Sequence, residues 1–113
     1  MQLKQATSTS RVPLDQISKL LSEEEIRKRL GELPGWTLEE GKIVRHIEFP
    51  SFMKAMDFVN EIAKIAEERN HHPVMIINWK KVKISLKSFD VNRITEKDFS
   101  LANEIERLIR EGL

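Results

Sequence analysis

From Ser51 onward an apolar residue returns every three or four positions: Phe52, Ala55, Met56, Val59, Ile62, Ala63 and Ala66. Lys54, Asp57, Asn60, Glu61, Lys64 and Glu68 occupy the places between them. That period puts the apolar set on one stripe and predicts the longest helix of the chain. Asn70 and Pro73 end it near residue 70, because proline cannot continue a helix. Proline also pushes the residue before it, His72, into extended backbone. The side chains of His71 and His72 are therefore expected to project differently, one towards the helix end and one towards a strand.

Shorter patterns surround this helix. Leu21-Ser22-Glu23-Glu24-Glu25-Ile26 carries a capping box between Ser22 and Glu25, with Leu21 and Ile26 placed as a hydrophobic staple. The first-turn glutamates and the following Arg27, Lys28 and Arg29 suit the helix dipole, and Gly31 is positioned for a left-handed cap. Pro34-Gly35 marks a turn. Trp36 to Glu39 and Lys42 to Phe49 flank Glu40-Gly41 as a hairpin, with Ile43, Arg45, Ile47 and Phe49 on one face of its second strand. Val74 to Trp79 is an apolar run of strand length, and Lys80-Lys81 is the expected turn after it. Val82, Ile84 and Leu86 alternate with Lys83, Ser85 and Lys87 in the manner of a half-buried antiparallel strand. After a connection from Ser88 to Ile94, Thr95 and Asp98 begin a last helix whose stripe is Ala102, Ile105 and Ile109, flanked by Phe99, Leu101 and Leu108.

The order α-β-β-α-β-β-α predicts an α+β fold: a four-stranded antiparallel sheet with three helices packed on one face. Residues 1–19 hold no sustained period and read as an N-terminal tail, leaving 20–113 as a single domain. With 113 residues, 40% apolar and 33% charged, the chain can bury a core without staples. The absence of cysteine removes disulfides, thiolate nucleophiles and Cys-based zinc sites. A net charge of +1 offers no electrostatic footprint for nucleic acid. No window approaches a membrane span, and the N-terminus lacks a secretory apolar core, so a cytoplasmic protein is expected.

Chemistry concentrates at His71-His72. Imidazole titrates near neutral pH, and a pair at an element junction suits proton transfer. The plain alternative is a polar helix end with two solvated rings. His46, on the strand face opposite Ile43 and beside Val44 and Glu48, reads as an ordinary strand histidine. Phe52, Met56 and Phe58 read as core rather than a ligand site, and Lys80, Lys81, Lys83 and Lys87 as a solvated sheet face. Asp98 has a sufficient structural reason in accepting backbone N–H groups at a helix start. The three histidines have neither HxH nor HExxH spacing, which argues against a metal site.

The spaced set Glu67, His71-His72-Pro73, Trp79 and Asp98, preceded by Leu33-Pro34-Gly35-Trp36 and by Phe49 and Phe52, resembles the signature of the pterin-4a-carbinolamine dehydratase family. The resemblance covers roughly residues 20–113. It implies a lyase, a 4a-hydroxytetrahydrobiopterin dehydratase, that removes water from a 4a-hydroxytetrahydropterin to give quinonoid dihydropterin in tetrahydrobiopterin recycling. It implies general acid/base catalysis by histidine, with no metal or redox cofactor. His71 maps to the general acid/base and His72 to pterin binding with base assistance. Glu67, one helical turn before His71, is expected to orient the His71 imidazole. Pro73 shapes the pocket wall, and Ser88, Phe89, Asp90 and Val91 match the second pterin-lining segment, whose backbone groups would meet the ring edge. Trp79 and Asp98 are supporting positions.

One position departs from the pattern. Where the family has histidine, or tryptophan in some members, this chain has Phe89, which transfers no proton but can stack on a flat ring. A lower rate is expected, restricted in the extreme to one stereochemistry of the 4a-hydroxyl. The alternative is a non-catalytic member of the fold acting as a protein-binding or assembly cofactor, which Phe89 favours and the paired histidines oppose. On family grounds a homodimer or homotetramer is expected, with no direct nucleic-acid or membrane partner.

Overall fold

The computed structural model describes residues 20–112, so the expected tail at 1–19 lies outside the described residues. Seven elements follow the predicted order: α1 (Glu23–Gly31), β1 (Trp36–Glu39), β2 (Lys42–Glu48), α2 (Phe52–Arg69), β3 (Val74–Asn78), β4 (Lys81–Leu86) and α3 (Glu96–Arg110). The sheet is antiparallel throughout, with strand order β1-β2-β4-β3, so β1 and β3 are its edges.

Strand alternation brings Ile43, Ile47, Val82, Ile84, Leu86 and Met75 to one face, as the pairings Ile43↔Leu86, Ile47↔Val82 and Met75↔Ile84 require. Phe58 and Ile62 of α2 and Leu101 and Ile105 of α3 join Ile43, Ile84 and Leu86 in the core with no exposure. A polar contact between β1, β2 and α3 adds to this core. Glu106 Oε2 accepts from Trp36 Nε1 and from Arg45 Nε, both at 2.8 Å. Gly35 lies close beneath that arginine: its φ of +93° favours glycine, and a Cβ there would fall 2.7 Å from Arg45 Cζ.

The helix starts form as their sequences direct. Ser22 and Glu25 complete the capping box of α1, and the Ser22 backbone N–H, followed by its hydroxyl, holds the Glu25 carboxyl below its ordinary pKa. Glu40 and Gly41, at φ 52° and 76°, make the tight β1–β2 turn.

Four expectations are corrected. Gly31 is the last helical residue of α1 and not a left-handed cap; Glu32 closes the helix at φ −95°. The buried arc of α2 is Ala55, Phe58, Val59, Ile62 and Ala66. Phe58 meets Phe49 with ring centroids 4.9 Å apart and planes tilted by 43°, which centres that arc on the core and leaves Phe52 46% exposed and Ala63 in solvent. On α3 the arc centres on Leu101, Ala102 and Ile105, with Ile109 only half-buried. The β3–β4 turn is Trp79-Lys80, not Lys80-Lys81, because Asn78 pairs with Lys81. Trp79 takes the left-handed conformation this requires, at φ 56°, and Lys80 C=O is held by Phe49 N–H at 2.8 Å.

The end of α2 sets the direction in which the chain leaves the helix. Asn70 is left-handed at φ 50°, Asn70 N–H donates to Glu67 C=O, and His71 N–H donates to Ala66 C=O at 3.1 Å. This is a Schellman ending built on asparagine. Asn70→Val, a β-branched side chain in left-handed backbone, is expected to cost about 1–2 kcal/mol, whereas Asn70→Gly should stay within about 0.5 kcal/mol of the parent. Urea unfolding midpoints check this; equal loss in both variants would refute the role given to the cap.

Candidate active site

Because the Schellman ending reverses the chain at Asn70, His71 leaves the helical path and does not sit over Glu67. Its ring crosses to α3, where Nε2 lies 2.6 Å from Asp98 Oδ1. The His71 side chain is 12% exposed and that of Asp98 is wholly buried.

The Asp98 carboxylate collects donors from three directions. Besides His71, its Oδ2 accepts from Thr95 N–H and from Ser88 Oγ, each at 2.9 Å. Ser88 has one hydroxyl proton and gives it to Asp98, so the 2.7 Å contact between Ser88 Oγ and Thr95 Oγ1 is a donation from Thr95. Thr95 Oγ1 in turn accepts from Lys97 N–H. Asp98 thus completes the capping box of α3 with one oxygen and holds His71 with the other. Since the carboxylate only accepts, the His71 proton facing it sits on Nε2 and Nδ1 faces away.

His72 takes the carboxylate that was expected to serve its neighbour. His72 Nε2 lies 2.6 Å from Glu67 Oε2, a pair that is 54% and 78% exposed. The expected Glu67–His71 pairing assumed a continued helix; the left-handed Asn70 breaks that geometry and brings the next residue round instead. Adjacent imidazoles are therefore each held by a different acid, one pair buried and one in solvent.

The remaining predicted residues divide. Ser88 is 2% exposed, and its N–H and C=O are bonded to Arg93, so it stands behind the dyad instead of presenting backbone to a ligand. Those two bonds close a loop in which Phe89 and Asp90 are exposed and Val91 is half-buried; Pro73, just before β3, is half-buried as well. Trp79 lies at the far end of β3, roughly 17 Å of strand away at 3.3 Å per residue, 67% exposed with Lys80 Nζ over its ring. It is not brought to the histidines within this chain. A cavity of about 540 Å³ opens beside His71, lined by Arg69, His71, Glu96, Lys97 and Ser100. Sequence reasoning passed over these neighbours; Lys97 beside Asp98 and Arg69 two residues before His71 were the available signals.

The model for pterin 4 alpha carbinolamine dehydratase matches residues 19–108. The chain belongs to the pterin-4-alpha-carbinolamine dehydratase family. A relative from Roseiflexus sp. (strain RS-1), provisionally named as such a dehydratase, is 43% identical over 79% of this chain and 96% of its own length. One from Sulfolobus acidocaldarius, with the same provisional name, is 38% identical over 78% of this chain and 97% of its own. Among solved structures, a transcriptional coactivator/pterin dehydratase from Brucella melitensis superposes with a TM-score of 0.75 at 30% identity, covering 79% of this chain and 97% of that one. A pterin dehydratase-like protein identified as a RuBisCO assembly factor shares the fold alone, with a TM-score of 0.54 at 19% identity over 65% of this chain and 84% of that one.

The two acid–histidine pairs of this dehydratase-family chain should respond differently to truncation. Asp98→Ala strands buried donors on Ser88, Thr95 and His71 and is expected to cost about 3 kcal/mol. Glu67→Gln, at an exposed pair, should change stability by no more than about 0.5 kcal/mol. Denaturant titration of the two variants beside the parent decides it; a costly Glu67→Gln or a harmless Asp98→Ala contradicts this assignment of weight.

Proposed function

We propose that this protein is a 4a-hydroxytetrahydropterin dehydratase. The observation that carries the reading is the pair of adjacent imidazoles, each fixed at 2.6 Å by its own carboxylate, with one beside an open cavity. Dehydration requires the C4a–O bond to break as the hydroxyl takes a proton and departs as water. The N5–H bond pair then becomes the C4a=N5 double bond as a base removes the N5 proton. Imidazolium and imidazole supply the acid and the base near neutral pH. His71, its Nε2 tied to Asp98, works through Nδ1 as general acid/base; His72, held by Glu67, contacts the pterin and assists as base. Asp98 and Glu67 act as positioning residues, and Ser88 and Thr95 position Asp98. Pro73, Phe89, Asp90 and Val91 border the ring, with Phe89 offering a stacking face where the family places an imidazole.

A second reading, a protein-binding role without catalysis, draws support from that phenylalanine. Dehydration of enzymatically generated 4a-hydroxytetrahydropterin separates the two. The parent should accelerate the reaction, and His71→Ala and His72→Ala should each lose about 100-fold or more, the ordinary weight of a positioned acid or base. Phe89→His should raise the rate, most on the stereoisomer the parent handles worse. No acceleration by folded parent protein would leave the protein-binding role; equal rates for parent and Phe89→His on both stereoisomers would sink the account of Phe89.

The same family reading includes a homo-oligomer. Edge strand β3 exposes Val74 and Ile76, 44% and 53% exposed, beside unpaired backbone groups that a second copy related by a two-fold axis would satisfy. Light scattering should find a dimer or larger assembly that Val74→Lys/Ile76→Lys dissociates. A monomeric parent protein would dismiss this interface.

A further inference from the structure

The cavity beside His71 holds more positive charge than the dehydration itself uses. Of its lining residues, Glu96 is already engaged through both carboxylate oxygens by Arg29. Asp98, behind the cavity, is filled by His71, Ser88 and Thr95. Arg69 spends one donor on a neutral partner, Nη1 to Ser100 Oγ at 2.7 Å. Glu104 feels the charge of Arg69, but its carboxylate is bonded to Arg107 at 3.0 Å. Among the described residues, neither Arg69 nor Lys97 lies within 4.0 Å of a carboxylate oxygen. Two cations without counter-ions, one at the end of α2 and one at the start of α3, therefore line the same cavity as the imidazole.

The uncharged pterin ring gives these cations nothing to pair with, and the elimination develops no full negative charge for them to hold. We infer that Arg69 and Lys97 form a subsite for an oxyanion carried on the substituent of the pterin, a phosphate ester or a carboxylate. A guanidinium with free donors suits the forked geometry of either group, and an ammonium adds a compact second charge. Ser100 orients the guanidinium from behind. The inference rests on the dehydratase reading and narrows its substrate class: pterins with an acidic side chain over neutral ones.

Three oxidised probes test it by fluorescence quenching at low ionic strength: neopterin, neopterin monophosphate and 6-carboxypterin. One of the two acidic probes should bind about tenfold more tightly than neopterin, and which one does so identifies the oxyanion. The preference should shrink as salt rises, because charges this exposed are screened within about 8–10 Å at physiological ionic strength. In Arg69→Gln/Lys97→Gln the ratio of acidic to neutral affinity should fall to within about twofold, with thermal melting confirming the fold. Equal affinity of the parent for all three probes, or a preference that survives in the double variant, overturns the subsite and leaves the dehydratase reading standing. Failure of every probe to bind a folded parent protein overturns both.

Discussion

A carboxylate with no exposure to solvent is the fixed point of this fold. Removing an ion from water costs several kcal/mol, and the cost is met only where donors surround it. Asp98 meets it with the backbone of Thr95, the hydroxyl of Ser88 and the ring of His71, drawn from three separate stretches of chain. Each donor is itself constrained: Thr95 caps α3, Ser88 closes the loop after β4, and His71 comes directly after the left-handed end of α2. The requirement of one buried charge thus joins the end of one helix to the start of another across the sheet edge. It also sets an imidazole in the wall of a cavity lined by residues of both helices.

The neighbouring pair shows what that burial adds. His72 and Glu67 meet at the same 2.6 Å, yet in water, where side-chain entropy and screening leave an ion pair little net stability. Geometry alone does not separate the two pairs; surroundings do. His71 is held as part of the framework, while His72 is free to leave its glutamate for a ligand at small cost. That difference suits a division of labour in which one ring holds a set orientation and the other adjusts to what binds.

Much of this was legible in the sequence, and the parts that were not share a cause. Periods of two and of three to four placed every element, and the two capping boxes at Ser22 and Thr95 fixed where helices begin, because these are local interactions. Faces were read less well: Phe58 belongs to the core and Phe52 does not, since a stripe on α2 is centred by what it meets, here Phe49. Carboxylate partners were read least well. Glu67 was matched to His71 by helical spacing, but a left-handed residue between them changes the geometry, and asparagine declares that conformation more weakly than glycine. Asp98 read as a helix cap, which it is; its bond to a ring 27 residues earlier leaves no local trace. Trp79 shared a spaced motif with the histidines, yet five residues of β3 carry it to the opposite end of the sheet.

Phe89 shows how chemistry at this site is separable from its architecture. The loop that bears it is closed by two backbone bonds between Ser88 and Arg93 and turned by Asn92 at φ 55°. No side-chain hydrogen bond at position 89 contributes to that closure, and the ring itself is 57% exposed. Histidine and phenylalanine therefore fit the same backbone, and exchanging them leaves Asp98, Ser88 and Thr95 where they are. An acid/base group at this loop is an addition to the dyad and not a condition of it. In the reaction proposed above, with no imidazole at position 89, proton transfer would fall to His71 and His72, and the loop would offer a flat ring an apolar face. Under that proposal a hydroxyl leaving towards the paired histidines would be the better served of the two stereoisomers.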